Sequence, residues 1–123
     1  MSVRNTYQQV KVTVSDDKGR LLQGTLDVLI LKALQSGPRH GYALSTWIRE
    51  TTEGVLQIED GALYTALHRM EKRNWLSAEW GLSDTNRRVK TYSLTAAGRE
   101  QLEARSNSWN EYADAVAKIL EST

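Results

Sequence analysis

The amino-acid sequence predicts an α+β chain, mainly α, in which three short helices lead into a β-hairpin and a long helix closes the order. Three observations carry that expectation. Apolar residues recur at helical spacing in TLDVLILKALQSG, in YALSTWIRETT and in GALYTALHRMEKRNWL. They switch to alternation in LSAEWGL and VKTYSL, on either side of the turn-rich SDTNRR. Beyond Thr95 the spacing is helical again and stays so to the C-terminus.

Each element has its own start and stop. In the first helix Leu26, Leu29, Ile30, Ala33 and Leu34 share one face. Thr25 is placed to cap its start, and Gly37-Pro38 stops it, because proline disfavours a helical residue before it. The second helix begins near His40-Gly41, presents Leu44, Trp47, Ile48 and Thr51 on one side, and ends at Gly54. Val55, Leu56 and Ile58 anchor the loop that follows. Asp60 is placed to cap the third helix, which buries Leu63, Ala66, Leu67 and Met70 and ends near Arg73-Asn74. In the hairpin, Leu76, Ala78, Trp80 and Leu82 are in phase on one strand, as Tyr92 and Leu94 are on the other. Thr95 caps the last helix. Residues 1–20 form an N-terminal arm, extended around 9–14, where Val10, Val12 and Val14 alternate with polar residues and need a partner strand.

Three helices followed by a hairpin make a winged helix-turn-helix over residues 21–95, with residues 96–123 as a C-terminal dimerisation helix. By position, the third helix is the recognition helix and the hairpin loop is the wing. Charge agrees. Residues 61–99 hold seven Lys/Arg against three Asp/Glu, a net of +4, whereas residues 100–123 carry −3. A basic middle beside an acidic tail suits a polyanion-binding surface joined to a second module.

The outward side of the third helix mixes hydrogen-bonding and cationic groups: Thr65, His68, Arg69 and Lys72, with Tyr64 at its boundary. The major groove admits a helix, and arginine or lysine pairs there with guanine edges. In the wing, Arg87, Arg88 and Lys90 can each neutralise a phosphate. Tyr42, at the start of the second helix, can add its hydroxyl to the free N–H groups there; packing is its alternative role. Double-stranded DNA is therefore the expected partner. RNA is disfavoured, because few aromatic residues interleave with the basic ones.

Other classes find little support. The chain has no cysteine, which excludes disulfides, thiolate catalysis and zinc–thiolate sites. His68 with Glu71 supplies one helical ligand pair, short of the three or four that zinc requires, so neither a metal nor another cofactor is expected. No phosphate-binding glycine loop, nucleophile elbow or paired-carboxylate signature indicates an enzyme. A membrane span of about 20 apolar residues is missing, and MSVRNTYQQVKVTV lacks a signal-peptide core, so a cytoplasmic location is expected.

In the last helix Leu102, Trp109 and Val116 recur every seven residues, with Ser106, Ala113 and Leu120 four residues after each. That narrow seam is typical of a helix packed on another helix. At roughly 1.5 Å per residue the helix reaches about 40 Å, past the edge of a small domain. A second copy would cover the seam, so a homodimer is expected; folding back on its own domain is the alternative.

Four blocks, LQGTLDVLILKAL, GPRHGYALSTWI, GALYTALHRMEKRNWLSAEWG and RRVKTYSLTAAGRE, occur in the order seen in PadR-family transcriptional regulators, and residues 21–120 resemble that family. The resemblance implies a homodimeric winged-helix repressor acting on a pseudo-palindromic operator. In drug-sensing members a tryptophan matching Trp109 lines a pore between subunits and stacks aromatic compounds, so the resemblance permits an aromatic effector here, with plain packing as the alternative role of Trp109. The competing expectation is a dimeric winged-helix module that binds another protein and no DNA.

Overall fold

A helix with a broad apolar side packs that side against several neighbours at once. The computed structural model, which describes residues 12–14 and 19–123, places such a helix at the centre of the fold. The elements in order are β1 (Val12–Val14), α1 (Gly19–Gln35), β2 (Arg39–His40), α2 (Gly41–Thr51), β3 (Leu56–Ile58), α3 (Asp60–Lys72), β4 (Leu76–Leu82), β5 (Arg88–Leu94) and α4 (Ala96–Glu121). Helix α1 is the central one: Leu26, Ile30, Leu31, Ala33 and Leu34 are all buried. Leu44 and Ile48 of α2 join them, with five residues of α3 (Ala62, Leu63, Ala66, Leu67 and Met70), Leu76 of β4, Tyr92 and Leu94 of β5, and Leu102 of α4.

The wing is a three-stranded antiparallel sheet in the order β2-β5-β4. Its long ladder pairs Leu76 with Leu94, Ala78 with Tyr92 and Trp80 with Lys90. Strand β2 is an element that periodicity did not reveal. Two residues are too few to show alternation, yet Gly37-Pro38 sends the chain out extended and Arg39 pairs with Tyr92. The partner that the N-terminal valines require is β3, which β1 meets in parallel, Val12 opposite Leu56 and Val14 opposite Ile58. Residues 1–11 and 15–18 of the expected arm lie outside the described residues.

Two expected caps are corrected. Helix α1 begins at Gly19, so Thr25 lies inside it. Glu59 occupies the N-cap of α3 without a side-chain hydrogen bond, and Asp60 is the first helical residue, where its carboxylate favours the positive end of the helix dipole. Thr51 is exposed rather than part of the buried side of α2. The cap of α4 is as expected: Thr95 Oγ1 accepts from the Gly98 amide at 2.9 Å. The same hydroxyl donates to the Trp75 carbonyl at 2.9 Å, tying the base of β4 to the start of α4. Gly98 is needed there, since a Cβ would run into the Trp75 carbonyl and lie 2.8 Å from Leu94. Among the described residues, no helix is long and apolar enough to cross a membrane.

Candidate nucleic-acid interface

Burying the Leu63/Ala66/Leu67/Met70 stripe of α3 leaves the opposite side in solvent. Thr65, His68 and Lys72 are exposed, and Tyr64 is half exposed. The Tyr64 ring lies across the start of α2: a Cβ on Gly41 would meet its hydroxyl at 2.6 Å, so a larger residue there would displace the ring. His40 caps α2 by accepting from the Ala43 amide at 3.3 Å, and its ring stacks on Tyr42, centroids 6.5 Å apart. Tyr42 itself is exposed.

The wing turns between Ser83 and Arg87. The Asn86 amide donates to the Ser83 carbonyl at 2.9 Å, and Asn86 takes the left-handed conformation (φ 65°) that asparagine tolerates. Arg87 and Arg88 are exposed on this tight turn. Lys90 is held differently, by a 2.9 Å bond from its Nζ to Glu71 Oε1 near the end of α3. That bond, the largest influence, keeps the Lys90 ammonium protonated beyond the ordinary lysine range, and burial raises the Tyr92 phenol. Wing and helices enclose a cleft of about 460 Å³, lined by Tyr42, Tyr64, Trp80, Arg87, Arg88, Lys90 and Tyr92 among others. Aromatic and basic side chains far apart in sequence therefore interleave in space.

Arg69 is a correction. It lies at the edge of the exposed arc of α3, and its guanidinium turns toward the body to pair with Asp27 of α1. Asp27 is 3% exposed, the one buried charged residue among those described, and its second oxygen lies 3.8 Å from Arg105 of α4. A carboxylate in the core needs such partners. Arg69 is therefore the buried carboxylate's counter-ion.

Helix α4 divides along its length. Leu102 belongs to the chain's own core, which removes it from the expected dimer seam. Ser106 and Trp109 face α1, and Trp109 Nε1 donates to Thr25 Oγ1 at 3.0 Å. They line a groove of about 520 Å³ with Thr25, Val28, Leu29, Lys32, Leu56 and Asn110. Further along, Ala113 is partly buried, while Tyr112, Val116, Ile119 and Leu120 are exposed at 66%, 38%, 73% and 79%.

The model of the transcriptional regulator PadR-like family matches residues 30–104, more than half of the chain. The chain belongs to this family. As a PadR-like protein it is a DNA-binding transcriptional regulator and not an enzyme. It is similar to uncharacterized protein X of Lysinibacillus sphaericus, 30% identical over 102 residues that cover 82% of this chain and 93% of the relative. Among solved structures, a transcriptional regulator from Clostridium thermocellum superposes with a TM-score of 0.75 at 27% identity, covering 82% of this chain and 98% of its own. A PadR-like transcriptional regulator from Bacillus cereus gives 0.71 at 28% identity, with 85% and 99% covered.

Of the residues expected to serve this PadR-like regulator, the cleft and its rim gather Tyr42, Tyr64, Arg87, Arg88 and Lys90, while Thr65, His68 and Lys72 are exposed on α3. Two residues were missed. Asp27 has a signal in TLDVLIL, a lone carboxylate amid apolar neighbours. Trp80 belongs to an alternating apolar set that continues past the edge of the core.

Proposed function

We propose that the chain acts as a homodimeric repressor whose α3 enters the major groove of each half of a pseudo-palindromic operator. Thr65, His68 and Lys72 face the bases, and Tyr42, Tyr64, Arg87 and Arg88 hold the flanking backbone. One observation carries the residue-level reading: Tyr42 of α2, Tyr64 of α3 and the basic wing line one cleft, and the Lys90–Glu71 pair ties the wing to α3. Two such units on a two-fold axis contact half-sites about one helical turn, roughly 34 Å, apart. The exposed apolar residues at the far end of α4 support the dimer. Solvent cannot satisfy them, and a second copy of the same helix can.

The groove beside Trp109 supports an aromatic effector. A flat ring entering it gains apolar burial and offset stacking on the indole. It also competes with the Trp109–Thr25 hydrogen bond between α4 and α1. On α1, Asp27 follows Thr25 by two residues and holds Arg69 of α3, so a shift of α1 against α4 reaches the recognition helix. Genomic-fragment selection with the purified protein tests the repressor reading. Enrichment of fragments sharing an inverted repeat upstream of a gene is expected, with transcription from that template falling as protein is added. Fragments with no common element, or rising transcription, would reject it.

A further inference from the structure

Tryptophan gains more than almost any residue from burial, and Trp80 is nevertheless 58% exposed. The ladder explains its position. Trp80 pairs with Lys90 and Leu82 with Arg88, so these side chains share the sheet side that, nearer the base, buries Leu76, Tyr92 and Leu94. The hairpin simply extends beyond the core it covers. Its overhanging end carries an indole with the Arg88 guanidinium 4.5 Å above the ring and the Lys90 ammonium at 5.9 Å. The same indole forms part of the cleft between wing and helices.

We propose that Trp80 is a DNA-contacting residue of the wing that also positions Arg88, holding its guanidinium flat so that the N–H edge meets the sugar–phosphate backbone of a duplex in the cleft. Stacking uses the guanidinium's face and leaves its in-plane donors for a phosphate. A mobile arginine would lose rotamer freedom on binding, and one already held on an indole loses less. Lys90 is partly neutralised by Glu71, which leaves Arg88 as the cation that the indole presents. The exposed Leu82 beside it offers apolar surface to deoxyribose. Charge complementarity selects the occupant, since Arg87, Arg88 and Lys90 all border the cleft. The proposal rests on the DNA-binding role of the wing.

The test uses the full chain, a fluorescent mixed-sequence duplex at low salt, and a matching single strand. Because Trp80 is exposed, Trp80→Ala should keep the wild-type unfolding midpoint, and Trp80→Phe retains a ring. Trp80→Ala should bind the duplex roughly tenfold more weakly, as expected when one charge-assisted hydrogen bond is removed. The slope of log K against log salt should shrink by about 0.9 for each phosphate released. Trp80→Phe should recover most of the affinity. Arg88→Ala should match Trp80→Ala, and the double variant should bind little more weakly than either, because both act on one phosphate. If wild type binds duplex and Trp80→Ala binds equally, or the two effects add, this inference falls and DNA binding by the wing stands. If wild type binds neither strand form, both fall. Preference for the single strand, with Trp80→Ala affecting it most, would replace backbone contact by base stacking and overturn the proposal.

Discussion

Helices α3 and α4 are both amphipathic, and each disposes of its apolar side differently. In α3 the stripe from Ala62 to Met70 is consumed within the chain, and what remains outside is Thr65, His68 and Lys72 beside the half-exposed Tyr64. In α4 the core takes only Gly98 and Leu102, and the exposed remainder includes Tyr112, Val116, Ile119 and Leu120. A polar exposed side is stable in water and free to meet a polar ligand. An apolar one needs covering. On the proposed function the same helical periodicity serves DNA in one element and self-association in the other, and burial tells the two apart.

The largest effect is expected at the far end of α4. Val116→Asp places a carboxylate on each of two facing helices, where desolvation and like-charge repulsion act together. Sedimentation should show monomers, and operator affinity should fall by about 10²- to 10⁴-fold as the two half-sites are no longer bound by one linked molecule. A variant still dimeric would move the interface elsewhere.

Arg69 sharpens the comparison from within α3. Arg69→Met leaves Asp27 buried with only Arg105 at 3.8 Å, and should destabilise the chain by roughly 3 kcal/mol in chemical denaturation. An unchanged midpoint with altered base preference would return Arg69 to the DNA side. His68→Ala and Lys72→Ala should behave oppositely. Stability should stay within about 0.5 kcal/mol, since both are exposed. Discrimination between operator and mismatched sites should fall by about 1–3 kcal/mol for each base edge that is no longer read, measured by competition binding.

The smallest effect concerns the strut between wing and α3. Lys90 titrates above its usual value near 10.5 because Glu71 accepts its hydrogen bond. A raised folded-state value means that the pair stabilises fully below the ordinary lysine value and ceases to do so as pH climbs through the raised one. Glu71→Gln should therefore cost under about 1 kcal/mol at neutral pH, the scale of a solvated pair. The difference from wild type should vanish in strong alkali. A difference that persists there would assign the effect to packing.

Much of this was legible in the sequence, where a pattern ran long enough to repeat. The α2 start at His40-Gly41, β4 over 76–82 and the Thr95 cap of α4 follow from alternation, spacing and capping chemistry. Two kinds of feature were not legible. Partnerships between distant segments leave no local period: Asp27 with Arg69, 42 residues apart, and Trp109 with Thr25, 84 apart, come from the fold alone. Arg69 sits beside His68 and next to the exposed arc of α3, and only the carboxylate across the core decides which way it turns. Nor does periodicity report where a core ends. Leu76 and Trp80 are in phase on one strand, yet one is 1% and the other 58% exposed, because the hairpin outruns the body beneath it.

The claim that α3 and the wing together form the DNA-binding surface is tested most directly by measuring duplex affinity across a series of salt concentrations for wild type and for Arg87→Ala with Arg88→Ala. Log K for wild type should fall linearly with log salt. The double variant should bind every duplex more weakly, with a slope smaller by about 0.9 for each phosphate no longer neutralised. Equal slopes for the two proteins, both folded, would contradict the account.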